Sequence, residues 1–347
     1  EAILEERRHP PITMTLNTRA LTCLLAIACL LQPGLQAADS VPNFNLVDLH
    51  DRDHELYRTD GKAVVLFFTG IGCPIARKSA HKLKQLKDEF ESQGVRFWII
   101  NAYADETASE AWDEIGELGL YQFTYMLDRK QAVSLSFGVE RTAEVIAIET
   151  KDHSIFYRGA IDDQFAEGAE KPTFTNPYLK DALNSFLAGE EIEIAETRTR
   201  GCRVTYAKVA EDQDNVPDYA TQVAPILQEN CVDCHREGSI GPWKMNKHRR
   251  VANYADMIEE VLLTRRMPPW DPHPDYGRFH EPYNLTSDET QTLIRWIQAG
   301  APRGEGGVVV REARVHHEPI AGHGQSPADA GKHVHPGEAG QWQRFQV

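Results

Sequence analysis

The run Ala63-Val64-Val65-Leu66-Phe67-Phe68, with Gly70-Ile71-Gly72-Cys73-Pro74 close behind it, decides the fold class of this chain. Six consecutive apolar residues ended by glycines read as a short strand buried on both faces. Pro74 then opens a helix that runs to about Glu91. Proline is tolerated there because the first-turn N–H has no intrahelical partner to lose. Cys73 thereby becomes the N-cap, and its sulfur lies at the positive end of a helix dipole, which favours thiolate over thiol.

Working outward, Gly94 closes the helix and Val95-Arg96-Phe97-Trp98-Ile99-Ile100 returns as a second strand. A helix is expected near 105–118 and another strand at Phe123-Thr124-Tyr125-Met126-Leu127. Val145-Ile146-Ala147-Ile148 and Ser154-Ile155-Phe156-Tyr157-Arg158, joined by Lys151-Asp152-His153, read as a hairpin. A last helix runs from about Pro177 to Leu187 and ends near Gly189. The alternation predicts an α/β domain over 38–208, a central mixed sheet flanked by helices.

Four stretches carry a resemblance: Val41-Pro42-Asn43-Phe44, Gly72-Cys73-Pro74-Ile75-Ala76, Tyr157-Arg158-Gly159-Ala160-Ile161-Asp162-Asp163 and Thr199-Arg200-Gly201-Cys202. Over about 41–208 the chain resembles thioredoxin-like redoxins of the alkyl hydroperoxide reductase and thiol-specific antioxidant type. The resemblance implies a thioredoxin-like fold and puts Cys73 at the family's nucleophile. Two departures stand out. Ala76 occupies the second position of a C-x-x-C pair, and Thr142-Ala143 stands where the fold has Thr before a cis-proline. A local dithiol is therefore excluded. Cys73 acts as a single peroxidatic cysteine, as half of a long-range couple with Cys202, or as a relic in a domain kept for docking a partner.

A second motif lies downstream, Cys231-Val232-Asp233-Cys234-His235. Two thiols at this spacing add to the two vinyl groups of one porphyrin, and the adjacent imidazole becomes the proximal iron ligand. A zinc half-site would need a second Cys/His pair, and no further cysteine follows. A redox dithiol would not require His235. Covalent haem c, one per chain, is the expected cofactor. Tyr219, Val223, Ile226 and Leu227 give a helix leading into Cys231, and Tyr254, Met257, Ile258, Val261 and Leu262 give another, with Met257 expected in its core. A third starts with a capping box from Thr286 to Glu289, buries Leu293, Trp296 and Ile297, and ends at Gly300. This all-α arrangement resembles a small class I c-type cytochrome domain, placed at 218–303 after a polar linker at 209–217. The sixth iron position is assigned to Met267, in Arg265-Arg266-Met267-Pro268-Pro269, where the prolines hold an extended backbone. Met245, His248, His273 and His280 are its rivals.

A chain of 347 residues with net charge -15 suits two domains and argues against a nucleic-acid partner. Residues 20–31 form an apolar core preceded by Arg19, and the small residue Ala37 offers a cleavage site. We read 1–37 as a signal region with its start at Met14, too short in its apolar part to span a bilayer, so no membrane span is expected after cleavage. Export to the periplasm or beyond makes the six cysteines intelligible. Cys23 and Cys29 leave with the signal, Cys231 and Cys234 go to haem, and Cys73 and Cys202 remain for a reversible disulfide. Residues 304–347 lack apolar periodicity and are expected to be disordered, with His316, His317, His323, His333 and His335 solvated. The expected function is electron transfer through haem c coupled to a thiol/disulfide domain, with a periplasmic redox partner protein. A thiol peroxidase drawing electrons from haem, with a peroxide or disulfide substrate, is one alternative, and a redox-inert redoxin domain that docks a partner of the cytochrome is the other.

Overall fold

The computed structural model of the protein describes residues 40–166, 169–206, 216–269 and 284–304. The expected signal region at 1–37, most of the linker at 209–217, the tail beyond Gly304, His273 and His280 lie outside the described residues.

A small antiparallel ribbon, β1 (Asn45–Val47) with β2 (Asp53–Glu55), leads into β3 (Ala63–Thr69), all seven of whose residues are buried. Helix α1 (Pro74–Phe90) carries the chain over to β4 (Val95–Asn101), which pairs parallel to β3. Helix α2 (Ala108–Leu118) and β5 (Thr124–Leu127) repeat the unit. After the short α3 (Ala132–Ser136), β6 (Glu144–Glu149) and β7 (Ile155–Gly159) form the expected hairpin, and β6 runs antiparallel against β3. The resulting mixed sheet has the order β5-β4-β3-β6-β7. A ribbon of β8 (Phe165–Ala166) and β9 (Ala169–Glu170) precedes α4 (Tyr178–Ala188), which Gly189 ends in the left-handed conformation. Helix α2 starts three residues later than the sequence suggests, because Thr107 and Glu110 close a capping box there.

Strand alternation sorts the core into two layers. Ala63, Val65, Phe67, Phe97 and Ile99 face Leu83, Leu86 and Phe90 of α1, Ile115 of α2 and Leu179 and Leu183 of α4. Val64, Leu66, Phe68, Trp98 and Ile100 face the other way, onto Phe44, Val133 and Phe137. Each such side chain contributes roughly 1.5–3 kcal/mol on burial.

The C-terminal part is helical: a widened π turn (Tyr219–Val223) runs into α5 (Ala224–Asn230), followed by α6 (His248–Ala252), α7 (Ala255–Leu263) and α8 (Ser287–Gln298). Its core gathers Tyr219, Val223, Leu227, Val232, Met245, Ile258, Leu293, Trp296 and Ile297. The capping box that opens α8 is formed, with the Glu289 N–H donating to Thr286 Oγ1 at 3.2 Å and the Thr286 N–H to Glu289 Oε2 at 2.8 Å. Met257 departs from expectation. It is 49% exposed, because the buried face of α7 is set by Ala255, Ile258 and Leu263 and leaves position 257 at its edge.

The helical part also packs against the α/β part, α8 lying on α3. Leu263 of α7 and Ile294 of α8 join the apolar layer of Leu66, Phe68 and Ile100. Polar bonds frame that contact: Ser287 Oγ donates to the Arg129 carbonyl at 3.2 Å, and Arg266 pairs with Glu55 at 3.0 Å. Among the described residues no helix is long and apolar enough to cross a membrane.

Candidate functional site

Gly72 takes a positive φ of 74°, which turns the chain so that Cys73 caps α1 with its sulfur inside the protein, 4% exposed. Two glutamates hold this turn from below. Both Glu106 oxygens accept the Ile71 N–H, at 2.9 and 3.0 Å, and Glu114 accepts the Gly72 N–H at 2.9 Å while pairing with Arg77 at 3.0 Å. Burial pushes the Glu106 carboxyl above the usual carboxylate range, against the bonds from Ile71 and Asn101.

After α4 the chain returns as an irregular strap that bridges Arg158 at Glu196 and Arg141 at Arg203. This strap crosses the active end of the sheet and delivers Cys202. Gly201 is required for so close a passage, since a Cβ at that position would lie 1.7 Å from the Thr142 carbonyl oxygen. The Cys202 N–H donates to Thr142 Oγ1 at 2.9 Å, and the Thr142 N–H donates to the Cys202 carbonyl at 2.9 Å. Cys73 Sγ meets the same Thr142 hydroxyl at 2.9 Å.

All four described cysteines are free thiols. Burial pushes the Cys73 thiol up. The Thr142 hydroxyl, the Ala76 amide and the Cys202 thiol and backbone outweigh it, leaving Cys73 below the ordinary thiol value. Cys202 moves the opposite way, raised by partial burial, by the hydrogen bond it gives Cys73 and by the negative charge there. The surroundings thus favour ionisation at Cys73 over ionisation at Cys202. Tyr103 closes the arrangement by donating to the Arg203 carbonyl at 2.6 Å.

The sequence matches this geometry to known proteins. Residues 36–176 match the Redoxin family model. This part of the chain is a redoxin domain of thioredoxin-like fold. It is 26% identical over 133 residues to the thiol-disulfide oxidoreductase ResA of Halalkalibacterium halodurans, covering 38% of this chain and 74% of that protein. With the ResA of Bacillus anthracis it shares 30% identity over 105 residues, 59% of that protein's length. An uncharacterized conserved protein from Geobacillus kaustophilus superposes on 49% of this chain and 92% of its own with a TM-score of 0.45 at 22% identity. The redoxin domain has a thiol-disulfide oxidoreductase-like thioredoxin fold, with Ala76 at the position after Pro74-Ile75 and Cys202 beside Cys73.

The second group of expected residues lies in the helical part. Cys231, Cys234 and His235 share one turn at the end of α5, where the His235 N–H bonds the Cys231 carbonyl at 3.0 Å. Gly241 packs on that turn, its N–H 2.8 Å from the Cys234 carbonyl, where a Cβ would come within 2.5 Å of the same oxygen. His235 is buried, and its Nδ1 lies 3.0 Å from the Trp243 carbonyl. A carbonyl only accepts, so Nδ1 carries a hydrogen, and in the neutral ring the free lone pair is on Nε2. Trp243 is stacked on Tyr254, 4.4 Å between centroids, which fixes the carbonyl in turn. Burial, then the nearby Cys234 and Glu289, push the Cys231 thiol up to about 12. Among the described residues, Met267 is not brought to His235. It is 41% exposed and lines a cleft of about 470 Å³ between the redoxin domain and the helices, together with Asp48, Trp112, Leu263 and Thr290. Met245 is buried, with its N–H on the His235 carbonyl at 2.8 Å, and the His248 ring lies 3.0 Å from the Ala301 carbonyl through Nε2.

Thr142, Glu106, Glu114 and Tyr103 complete the thiol site. Of these only Thr142 had a signal in the sequence, its position ahead of the residue that replaces the family's cis-proline.

Proposed function

We propose that the chain is an exported thiol-disulfide oxidoreductase whose working couple is Cys73 and Cys202, joined to a helical domain that carries haem c. One observation carries the first half: the strap sets the Cys202 thiol against a Cys73 sulfur held below the ordinary thiol pKa. In the reducing direction the Cys73 thiolate attacks one sulfur of a substrate disulfide. That S–S bond breaks, a mixed disulfide forms and one substrate thiolate leaves. Cys202 then gives up its proton and attacks Cys73 Sγ. The Cys73–Cys202 bond forms, and the second substrate thiolate leaves with the electron pair. Two electrons have passed to the substrate; the proton released by Cys202 serves one of the two substrate thiolates, and the other takes its proton from solvent. Peptide mapping under non-reducing conditions tests the couple: a linked 73–202 pair is expected, and full alkylation of both thiols in air-equilibrated native protein would overturn it.

For haem c, Cys231 and Cys234 would supply the thioethers and His235 Nε2 the proximal bond, while Met267 would have to leave its cleft to take the sixth position. Its chemistry, when bound, is one-electron storage. The fit rests on His235, whose Nδ1–H on a backbone carbonyl is the arrangement that orients a metal-ligating imidazole. The expected cytochrome c domain, periplasmic location and redox partner protein belong to this reading. Haem staining of a denaturing gel tests it, because covalently attached haem stays with the chain and exchangeable haem washes out.

A further inference from the structure

The strap that presents Cys202 is held on its outer side by a residue that the thiol chemistry does not touch. Gln131 is 1% exposed and lies at a positive φ of 53°, a backbone state that non-glycine residues keep only when their surroundings impose it. Its Nε2 donates to the Thr205 carbonyl at 2.9 Å, three residues beyond Cys202, and to the Ala102 carbonyl at 2.8 Å, next to Tyr103. Both of those partners are acceptors, so the orientation of the amide is fixed. Its Oε1 accepts from Gln291 Nε2 of α8 at 3.2 Å, and the same Nε2 reaches the Lys130 carbonyl at 3.3 Å. Gln291 is equally buried, at 1%, and its own Oε1 has no partner among the described residues.

From this geometry we infer that Gln131 is a positioning residue for Cys202, and that Gln291 makes the thiol couple's equilibrium depend on the helical domain. The inference rests on the Cys73–Cys202 reading. The chain of bonds runs from α8 through one side chain into the strap and the end of β4, so the position of α8 enters the register of Cys202 against Cys73. A strap held at both Thr142 and Thr205 keeps the Cys202 thiol at a high effective concentration beside Cys73. Releasing the Thr205 end lowers that concentration and makes the disulfide easier to reduce.

The test uses the full-length, haem-loaded protein and equilibrates it in defined ratios of reduced to oxidised dithiothreitol. Mass spectrometry reads the fraction of 73–202 linkage. Gln131→Met, close in volume and without the amide, is expected to shift the dithiol–disulfide constant about tenfold toward the dithiol, about 30 mV for a two-electron couple. Gln291→Met is expected to shift it in the same direction by about threefold, although it sits on α8, while leaving the melting transition in one step. If wild type gives no linked pair at any ratio, the couple itself is wrong. If wild type links and both variants stay within about 1.5-fold of it, the couple stands and the positioning role of Gln131 and Gln291 is overturned. Should Gln131→Met fail to fold, Gln291→Met decides alone by the same threshold.

Discussion

Thr142 Oγ1 lies 2.9 Å from both the Cys73 sulfur and the Cys202 amide, so one hydroxyl serves two partners that differ in charge. Burial opposes ionisation of Cys73, and Thr142 is the largest of the contributions that reverse it. Thr142→Val removes that donor while keeping the shape, and the Cys73 pKa should rise. The sign follows directly: a lowered pKa keeps thiolate present at lower pH, so the variant's alkylation profile with iodoacetamide moves to higher pH. Its rate at pH 7 is expected to fall by about tenfold or more, since a hydrogen bond to a charged group is worth about 1.5–3 kcal/mol. Cys202→Ser is expected to leave Cys73 open to overoxidation, read as a mass increase on the Cys73 peptide after peroxide exposure. Met267→Ala should abolish the near-infrared sulfur-to-iron band of the haem-loaded protein; an unchanged spectrum moves the sixth position to another residue. Cys73 at a helix N-cap was legible from Gly72, Cys73 and Pro74 alone, because glycine and proline have steric rules that act within one turn. Glu106, Glu114 and Gln131 were not. Each reaches across the fold, to Ile71, Gly72 and Thr205, and no local pattern marks a side chain whose partner is set by the packing of other elements.

At the scale of elements, the strap and α8 show the same division. The strap has no periodicity, and the sequence flagged only its Thr199-Arg200-Gly201-Cys202 motif. What makes it functional is its close passage over Thr142, which Gly201 permits. Gly201→Ala places a methyl 1.7 Å from a backbone oxygen. The strap has to lift, and the 73–202 linkage is expected to disappear while the redoxin sheet survives, as checked by non-reducing peptide maps beside far-UV circular dichroism. Helix α8 was legible at its start, from Thr286 and Glu289, and on one face, from Leu293, Trp296 and Ile297. Ile294 escaped because an amphipathic pattern describes a helix with one partner, whereas α8 has two. Thr286→Ala should cost about 1 kcal/mol of stability in denaturant titration, the usual loss for an N-cap side chain.

Across the whole molecule, Ile294 and Leu263 are shared property: they belong to the helical part by sequence and to the sheet's second layer by contact. The reading of two domains separated by a polar stretch gave no sign that the helical part packs against the redoxin domain, which depends on two apolar side chains among many. Ile294→Ala is expected to destabilise the protein by about 2–4 kcal/mol. Because that residue belongs to the redoxin domain's second apolar layer, fluorescence of Trp98 in β4 and far-UV helical signal from the C-terminal part should lose structure at the same denaturant concentration in wild type and separate in the variant. Separate transitions in wild type would show that the contact is energetically minor.

That shared layer also imposes an order of events on biosynthesis. A ribosome finishes Phe44, Val133 and Phe137 long before it reaches Ile294, so the apolar layer they form with Leu66, Phe68 and Ile100 stays open at one edge until a helix encoded near the far end of the described chain arrives. Contacts of such long sequence separation are slow to form. Throughout that interval the nascent redoxin domain presents an apolar edge of the kind that holding chaperones bind and neighbouring chains aggregate upon.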